Sequence, residues 1–454
     1  MHIGRYAIRG LLGRGGMGAV YKAAMPVTGR IVALKVLKPA EIMEDIVGSE
    51  KLTKMFLTEA ATMASITHPN IASILDVHDG HDDQPAHFTM EYFCGNLGVV
   101  MGETYEVEQP SRRLGVEASL HIARQMLHGL DRLHYEGIIH RDVKPFNVML
   151  AEEEGGVGQV KLIDFGLSRL RGESTPDPKG MVVGSPYYTA PEQEANPEDA
   201  DARSDIYSVG ITLYRMITGS LPPEDESARR PVSETHPDLD AHWDAMFDKA
   251  IALDPNGRFD DALDMVAALD ELEMLWLERK DTVCSGEDLL RETARHDASW
   301  RPRSTPVKAP LKAARTTFDL DTLWRPRKYG VGQFAPTGEG IVTDQTTGLV
   351  WEEHGSRYPL TWEGAQAHVR RLNKNEYGGR TDWRLPTIEE LTTLFTGRTE
   401  PGDFCLEPAF DPNKARLWSS DTKAFTAAWY ADAELGFVGW QDRTCRFFSR
   451  AVSG

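Results

Sequence analysis

The chain has 454 residues, and at roughly 100–200 residues per domain this length predicts two or three folding units. With 41% hydrophobic and 26% charged residues, the composition excludes a mainly disordered or membrane-embedded chain. No run approaches the ~18 apolar residues that a membrane span needs, and the N-terminal sequence lacks a signal-peptide pattern, so we expect a cytoplasmic protein.

Negative charge is concentrated in the first part of the chain. Residues 281–454 hold 23 Lys and Arg against 24 Asp and Glu, so residues 1–280 carry −18 of the formal net charge of −19. An acidic surface repels phosphate backbones, and we expect no nucleic-acid partner. A basic peptide substrate is compatible with this charge, which an ordinary solvated acidic surface explains equally well.

The first 280 residues change from a β-rich to a helical pattern. Short β-rich runs surround one helical stretch at 51–66 in residues 1–100, and helical periodicity dominates from 116 to 280. A small β-rich lobe is therefore predicted to precede a larger helical lobe. The β-rich runs are 6–12, 19–25, 31–37, 72–79 and 86–93.

A change in composition and secondary-structure pattern near residue 281 predicts a second domain. Residues 301–315 contain five basic residues, three prolines and no acidic residue, which is typical of a linker, and we assign 281–317 to it. Beyond 318 the sequence is rich in Trp, Gly and short strands and contains one helix at 362–374. Residues 318–454 are thus predicted to form a separate α+β domain.

A glycine-rich string lies between two predicted strands at residues 13–20. Glycines let a backbone approach phosphate oxygens and offer amide donors, and Val20 is placed to cover an adenine. A dinucleotide-binding turn shares the spacing of Gly13, Gly15 and Gly18, but there a helix must follow, whereas 19–25 has a strand pattern. Taken alone, the string is weak evidence and does not decide whether this is a phosphate-binding hairpin.

Lys35 ends a strand pattern that is predicted to be buried. A buried ammonium needs a charged partner, and Glu59 in the helical stretch is the candidate. An ordinary solvated lysine and a helix-surface glutamate would fit the same two positions.

Two short motifs carry the chemistry of phosphoryl transfer: HRDVKPFN at 140–147 and IDFG at 163–166. The reaction asks for a carboxylate at the acceptor hydroxyl, an amide and a carboxylate on Mg²⁺, and a cation near the transferred group. Asp142, Asn147, Asp164 and Lys144 supply these groups.

On these motifs, residues 1–280 resemble a protein kinase domain, close to the bacterial eukaryote-like Ser/Thr family. The resemblance implies a bilobal α+β fold, with the N-lobe at about 1–93 and the C-lobe at about 94–280. It implies ATP with Mg²⁺ or Mn²⁺ as cofactors and Ser/Thr hydroxyls of proteins as acceptors. By resemblance the catalytic residues are Lys35, Glu59, Asp142, Lys144, Asn147 and Asp164, of which Asn147 and Asp164 hold the metal.

The resemblance also implies the ATP pocket. Met90 would be the gatekeeper, and 91–93, from Glu91 to Phe93, the hinge whose backbone meets adenine. The glycine-rich loop would comprise Gly13, Gly15, Gly16 and Gly18. The apolar lining would comprise Leu12, Val20, Ala33, Met149 and Ile163, although the same positions suit plain core residues.

Further positions follow the family's order and concern support and regulation. Glu192 should pair with Arg258, and Asp205 should brace the catalytic loop. Ser185 stands where a threonine is usual, and its hydroxyl should preserve activity. Arg141 is expected to bind a phosphate on Ser174 or Thr175, although these could also be plain solvated loop hydroxyls.

The C-terminal part resembles a bacterial domain family of unknown function marked by a DWRLPT string, here at 382–387. That resemblance implies a C-type-lectin-like fold and a ligand- or protein-binding module. Asp344, Trp351, Trp362 and Trp383 are interpreted as framework. The residues suggested for a binding face, some of which could instead be buried, are Trp429, Tyr430, Trp440 and Arg443.

Three functional hypotheses remain open from the sequence. The first is an active Ser/Thr kinase with a tail sensor, and the second is a pseudokinase scaffold joined to a lectin-like binder. The presence of Lys35, Asp142 and Asp164 argues against the second. The third hypothesis, a binder diversified by a retroelement, makes the tail the main functional unit and the kinase an accessory.

Overall fold

The computed structural model of the protein divides the chain into two compact units. It describes residues 1–454 with the exception of 16–17, 40–43, 46, 81–83, 104–110, 152–157, 165–185, 224, 226–227, 237–238, 284–300, 329–331, 396–405, 407–408 and 412. The first unit comprises Met1–Gln109, Leu120–Ala151 and Gln159–Glu278. The second comprises Pro110–Ser119, Glu152–Gly158 and Arg279–Gly454.

Strands and helices are mixed along the chain, which makes the fold α+β as predicted. The strands are β1 His2–Ile3, β2 Tyr6–Gly15, β3 Gly18–Ala24, β4 Ile31–Leu37, β5 Ile74–His78, β6 His87–Glu91, β7 Gly95–Asn96, β8 Val148–Leu150, β9 Val160–Leu162, β10 Phe334–Gly338, β11 Ile341–Asp344, β12 Val350–Glu352, β13 Arg416–Thr422, β14 Ala427–Asp432, β15 Phe437–Asp442 and β16 Val452–Ser453.

The α-helices are α1 Ser49–Ser65, α2 Leu97–Met101, α3 Val116–Tyr135, α4 Pro191–Ala195, α5 Ala202–Thr218, α6 Val232–Thr235, α7 Ala241–Ala250, α8 Ala262–Val283, α9 Leu311–Thr317, α10 Trp362–Lys374 and α11 Ile388–Thr392. Within the described ranges, none of these helices is both long and apolar enough to cross a membrane.

The first unit begins with an antiparallel six-stranded sheet in the order β1-β2-β3-β4-β6-β5. Its register sets Val20 opposite Lys35 and Ala33 opposite Met90, so one sheet carries the glycine-rich hairpin and the expected gatekeeper. Helix α1 begins at Ser49 and buries Leu52, Phe56, Glu59, Ala60 and Met63 along one stripe at helical spacing. This stripe turns Glu59 inward.

Helices dominate the rest of the first unit. Helix α5 is almost wholly buried, because apolar and small residues occupy every side of it. Its ends are well defined: Asp201 and Ser204 form a reciprocal capping box, and Gly219 closes the helix with φ of 75°. A rigid buried helix thus runs beneath the segments that carry the motifs. The small sheet β7-β8-β9 holds the two chain segments of those motifs side by side.

The second unit is built on two antiparallel sheets, in the orders β10-β11-β12-β16 and β13-β14-β15. Strand β14 is buried along its whole length. Its core contains large side chains that are fully covered, such as Trp351, Phe395 and Trp429. The tail of the sequence is therefore a folded unit with a hydrophobic core of its own.

Residues 301–317, the last part of the linker predicted at 281–317, pack within the second unit. Arg303 donates to both oxygens of buried Asp421 at 3.0 Å, and the Val307 amide donates to the same carboxylate at 2.7 Å. Ala309 exchanges backbone and indole hydrogen bonds with the β13 and β14 strands, and Ala314 on α9 lies in the core. The basic residue Arg303 forms an ion pair within the second unit, and the prolines of this segment suit an extended backbone.

Candidate active site

Lys35 lies at the centre of a charged cluster. Its ammonium is 2.8 Å from Asp164 Oδ1 and 3.4 Å from Glu59 Oε1. Lys35 and Glu59 are each 7% exposed, so the cluster is sheltered from water on the side of α1. Buried Glu59 and half-buried Asp164 offset the cost of burying the ammonium, as expected from the sequence. Strand β4, helix α1 and the segment after β9 thus bring three distant residues together.

A second cluster forms around Asp142. Lys144 Nζ lies 2.7 and 2.9 Å from the two oxygens of this carboxylate, and Asn147 Nδ2 donates both to Oδ2 and to the backbone carbonyl at 2.8 Å. The short 3₁₀ helix Pro145–Asn147 returns Asn147 to Asp142, five residues earlier. The carboxylate is therefore fixed in position by a cation and an amide.

The two clusters are held side by side by backbone hydrogen bonds. The Ile163 amide donates to the Asn147 carbonyl at 3.1 Å, and Val148 pairs with Leu162 in the β8–β9 ladder. Asp164, which follows directly, adopts a left-handed conformation with φ of 59°. This backbone turn aims its carboxylate at Lys35 and not along the strand.

Asp205 on α5 braces the loop before Asp142. Its carboxylate, 1% exposed, accepts hydrogen bonds from the amides of His140 and Arg141, each at 2.8 Å, and from His134 Nε2 at 2.8 Å. Arg141 has a φ of 64°, an unfavourable conformation for a residue with a side chain. The carboxylate therefore stabilises a strained loop, in the role that the sequence analysis expected for Asp205.

His140 is buried within this loop. Burial lowers the pKa of His140, although Asp205, Asp142 and Asp164 act in the opposite direction. Its Nδ1 accepts a hydrogen bond from the Asp142 amide at 3.3 Å, as a neutral imidazole can. His140 thus supports the backbone of the catalytic loop as an uncharged residue.

The glycine-rich hairpin and the expected adenine pocket share the first sheet. Gly15 pairs with Gly18 at the end of the β2–β3 hairpin, and a side chain on Gly18 would collide with the Val36 carbonyl. Gly13 and Gly15 face open space, as a phosphate-binding hairpin requires. Ala33 and Met90 are buried, whereas Leu12 is exposed; Val20, Met149 and Ile163 are half-buried. Glu91 is the last residue of β6, and Phe93 lies two residues after it.

Several predicted residues lie outside the described ranges. These are Gly16 of the glycine-rich hairpin and Ser174, Thr175 and Ser185 of the expected activation segment. Their predicted roles stay predictions.

The ion pair expected between Glu192 and Arg258 is present. Arg258 donates through two guanidinium nitrogens to the two carboxylate oxygens at 2.7 and 2.8 Å, and Ser204 Oγ adds a third donor at 2.6 Å. Burial alone would raise the pKa of Glu192, but the hydrogen bonds from Arg258 and Ser204 outweigh it and lower that pKa. Glu192 is therefore held as a carboxylate.

Two groups of contacts near the site were not predicted from the sequence. Buried Tyr188 donates from its hydroxyl to Glu103 Oε1 at 2.7 Å, and Arg215 donates to both. Gln193 Nε2 donates to the carbonyl of Arg141 at 2.7 Å. No short motif joins these residues, because they come from helices and loops far apart in sequence.

In the second unit, some residues of the suggested binding face are buried and others are exposed. Trp429 and Tyr430 are core residues with 0% and 5% exposure, and only Trp440 remains 39% exposed. Arg443 lies over the ring of Trp362 at 4.1 Å. Asp344 and Trp383 take part in turns, where Asp344 accepts from the Thr346 amide and the Trp383 indole donates to Tyr377. Tyr430 thus pairs with the core and does not reach the surface.

Comparison with known proteins finds a matching family for each part of the chain. Residues 6–266, more than half of the chain, match the protein kinase domain, and residues 340–453 match the Lcl C-terminal domain. The chain is 35% identical over 286 residues to a probable serine/threonine-protein kinase of Streptomyces coelicolor, covering 59% of this chain and 40% of the relative.

Two further similarities fall in the same region. The serine/threonine-protein kinase PrkC of Bacillus subtilis is 32% identical over 275 residues, covering 58% of this chain and 40% of PrkC. The chain thus spans about two-fifths of the length of these two curated relatives. The crystal structure of the Mycobacterium tuberculosis PknI kinase domain aligns with 60% of this chain and 98% of its own, at 28% identity and a TM-score of 0.44. From the extent of the family match, the chain belongs to the protein kinase domain family.

Proposed function

We propose that this protein is an ATP-dependent serine/threonine protein kinase. The observation that carries the proposal is the pair of adjoining clusters, with Lys35 bound to Asp164 and Glu59 and with Asp142 bound to Lys144 and Asn147. A pseudokinase scaffold is the less favoured alternative, because each charged group of the reaction is present and is placed by several contacts.

The residues have separate roles in the proposed reaction. Asp142 would orient the Ser/Thr hydroxyl and receive its proton, while Lys144, 2.7 Å from that carboxylate, would stabilise charge on the transferred group. Lys35 would hold the phosphates of ATP, with Glu59 fixing its position. Because these charged side chains are already in position, they can stabilise the charge that develops in the transition state without moving during the reaction.

Asn147 and Asp164 fit a Mg²⁺ or Mn²⁺ ion by their chemistry. Asn147 directs its amide nitrogen to Asp142, which leaves its Oδ1 outside that hydrogen bond, and oxygen ligands are what Mg²⁺ prefers. When bound, the ion would neutralise phosphate charge. The role of the protein residues is to hold the two oxygen ligands on neighbouring backbone segments.

The adenine of ATP is proposed to lie between the sheet and the β8 strand. Val20 and Ala33 would cover it from the sheet, Met149 from β8, and the backbone of Glu91 and Phe93 would supply hydrogen bonds. Gly13, Gly15 and Gly18 would approach the phosphates through their amides.

We further propose that the second unit is a binding or sensor module with a C-type-lectin-like fold. The binding role, though not the fold, is supported by exposed aromatic residues beside lysines: Phe425 is 87% exposed with Lys308 at 4.5 Å over its ring, and Lys423 lies 2.8 Å from the ring centre of Trp440. Its ligand is a protein or small molecule of unassigned identity. A near-copy of the DNA that encodes 418–454, lying beside the gene, would instead favour the third hypothesis. In that hypothesis the tail is a binder diversified by a retroelement and is the main functional unit.

The kinase proposal is tested by incubating the full chain with γ-labelled ATP and Mg²⁺ or Mn²⁺ and mapping the phosphorylated residues. We expect transfer to serine and threonine, and its loss in Asp142→Asn. The matched control is Asp199→Asn, which changes an exposed aspartate in the same unit and should leave transfer intact. A parent protein that transfers no phosphate, or an Asp142→Asn variant as active as the parent, would contradict the proposal. The expected cytoplasmic location stays a prediction, which cell fractionation would check.

A further inference from the structure

Two segments of the second unit that are far apart in sequence meet at one edge of it. Lys308 forms a parallel bridge with Thr422, the last residue of β13. The Ala309 amide donates to the Thr422 carbonyl at 2.9 Å. The turn after β13 therefore lies beside residues 308–317, which include helix α9.

Strand β15 adds Trp440 to the same edge. The register of β14 and β15 sets Trp440 opposite Trp429, and opposite residues of an antiparallel pair point to one face. The Trp429 indole donates to the Ala309 carbonyl at 3.0 Å, so this is the face that the segment before α9 covers. Lys423, which follows β13, reaches the ring of Trp440 at 2.8 Å. The turn, the start of α9 and Trp440 thus form one continuous surface.

Three large apolar side chains protrude from this surface. Phe425, in the turn between β13 and β14, is 87% exposed, and Trp440 and Leu311 are 39% and 38% exposed. A single exposed apolar side chain is ordinary, but three on one edge form a site for a partner. Lys308 lies over the ring of Phe425 at 4.5 Å, so a cation stands directly beside the most exposed of the three.

The charge of this surface is opposite to that of the chain as a whole. Residues 301–318 contain five basic and no acidic residues, although the formal net charge of the protein is −19. The two carboxylates that flank the turn and Trp440 have partners, because Asp421 is buried against Arg303 and Asp442 accepts from Thr444. We call the exposed residues of this surface the basic aromatic patch: Lys308, Leu311, Lys312, Arg315, Phe425 and Trp440.

Protruding apolar side chains among cations suit the surface of an anionic bilayer. Aromatic and aliphatic side chains enter the boundary between headgroups and acyl chains, while lysine and arginine stay at the level of the phosphates. An acidic protein could pair with the same cations, but it would have to offer a fitted pocket to each protruding side chain. A bilayer accepts such side chains whatever their shape, and this favours a lipid partner.

We propose that the basic aromatic patch attaches the protein to membrane surfaces that contain anionic phospholipids. Phe425, Leu311 and Trp440 would enter the headgroup region, and Lys308, Lys312 and Arg315 would contact the lipid phosphates. The inference rests on the proposed binding role of the second unit and narrows its partner at this surface to a lipid. The proposed kinase activity does not depend on it.

The test is co-sedimentation of the full chain with vesicles at neutral pH and low salt. Vesicles of equal parts phosphatidylcholine and phosphatidylserine supply the anionic surface, and vesicles of phosphatidylcholine alone are the neutral comparison. We expect the parent protein to bind the mixed vesicles and not the neutral ones. Binding should weaken as salt is added, because salt screens exposed charges.

Two variants separate the apolar from the charged part of the patch. Phe425→Ala should weaken binding to the mixed vesicles about tenfold, because it removes the apolar area that the bilayer would bury. Lys308→Gln/Lys312→Gln should weaken it about 25-fold, since each basic residue near an anionic surface contributes roughly a factor of five. All three side chains are exposed, so both variants should keep the thermal unfolding midpoint of the parent.

Matched controls change the same kinds of residue elsewhere in the second unit. Tyr358→Ala removes a 50% exposed aromatic ring that lies outside the patch. Arg370→Gln/Lys374→Gln removes two exposed charges from α10. Both controls should bind the mixed vesicles as the parent does.

Three results would overturn the inference. The first is a parent that does not bind the mixed vesicles, and the second is a Phe425→Ala variant that binds them as tightly as the parent. The third is tighter binding to a polyglutamate peptide than to the mixed vesicles, which would assign the patch to an acidic protein and leave the binding role of the second unit in place. Phosphate transfer from γ-labelled ATP without vesicles is measured separately, so failure of the kinase proposal is distinguishable from failure of this one.

Discussion

Arg258 donates two hydrogen bonds to the carboxylate of Glu192, at 2.7 and 2.8 Å, and the arginine side chain is fully buried. The same guanidinium donates to the carbonyls of Ala252 and Leu253, so it joins α4 to the turn after α7. The planar guanidinium donates to a carboxylate and to several carbonyls at once, which the single ammonium of a lysine cannot do.

Loss of the Arg258 guanidinium should destabilise the first unit. Arg258→Met would leave the half-buried carboxylate of Glu192 without its charged partner, and we expect the free energy of unfolding to fall by about 3 kcal/mol. Urea unfolding followed by tryptophan fluorescence measures the change. Arg203→Met, which breaks the more exposed pair with Asp201, should cost less than about 1 kcal/mol. Equal effects of the two variants would contradict the expectation.

The same pair predicts a dependence of stability on pH. Because hydrogen bonds keep the pKa of Glu192 below its ordinary value of 4.5, its contribution is fully present above pH 4.5 and is lost as the pH falls through the lower folded value. Glu192→Gln should therefore be less stable than the parent at pH 7 and show a smaller loss of stability below pH 4.5. Parallel stability curves for the two proteins in acid would disagree with this assignment.

Lys35→Met should reduce phosphoryl transfer by orders of magnitude and leave the fold intact. The ammonium contacts both Asp164 and Glu59, so its removal takes away the group that would hold the phosphates. Peptide phosphorylation and thermal unfolding are the two measurements. Lys51→Met, at an exposed position of α1, is the control and should retain activity. Near-parental transfer by Lys35→Met would make the assignment wrong.

Autophosphorylation is predicted at Ser174 or Thr175. A phosphate there would carry close to two negative charges and pair with Arg141, which would raise activity by ordering the segment before 187–193. Mass spectrometry of the parent and of Asp142→Asn should show the modification only in the parent. A Ser174→Ala/Thr175→Ala double variant as active as the parent would rule out this regulation.

Asp421 should be critical for the stability of the second unit. It is 0% exposed and accepts from the amides of Val307 and Ile388, each at 2.7 Å, besides Arg303. Asp421→Asn turns an acceptor into a partial donor, and we expect faster hydrogen exchange at the two amides. Asp411→Asn changes a half-exposed aspartate in the same unit and should leave them protected. Unchanged exchange in Asp421→Asn would show that the segment is anchored by other contacts.

Lys423 should lose its proton in a mildly alkaline range. Burial lowers its pKa to about 8, and no carboxylate pairs with it among the described residues. Since the unfolded chain binds more protons between pH 8 and 10.5, this group should make stability rise with pH in that window. Competitive acetylation read by mass spectrometry should give a midpoint near pH 8. A midpoint near 10.5 would contradict the burial seen here.

The local motifs of the first unit could be predicted well from the sequence. Asp142, Lys144 and Asn147 lie within six residues, so the chain itself holds them together, and Asp164 follows shortly after the next strand. The partners Lys35 and Glu59 could be proposed because a buried ammonium needs a carboxylate. In contrast, Glu103, Tyr188 and Arg215 meet only through tertiary packing and give no periodic or spaced signal.

The second unit was harder to predict for physical reasons. Arg303 and the prolines of 301–315 have the composition of a linker, and only the buried position of Asp421 reveals that they are structural. Trp429 and Tyr430 follow one another in a strand, where one side chain normally faces solvent, but β14 is the central strand of its sheet and both are covered. Alternation cannot identify a strand buried on two faces.

The left-handed backbone of Arg141 offers a way to separate charge from shape in this catalytic loop. At φ of 64° glycine is the residue with no steric penalty, so Arg141→Gly would delete the guanidinium and relax the loop, where alanine would delete it and keep the strain. The two amides bound to Asp205 would remain available in either case. Comparison of the glycine and alanine variants therefore distinguishes what the arginine contributes as a cation from what the conformation of its backbone contributes.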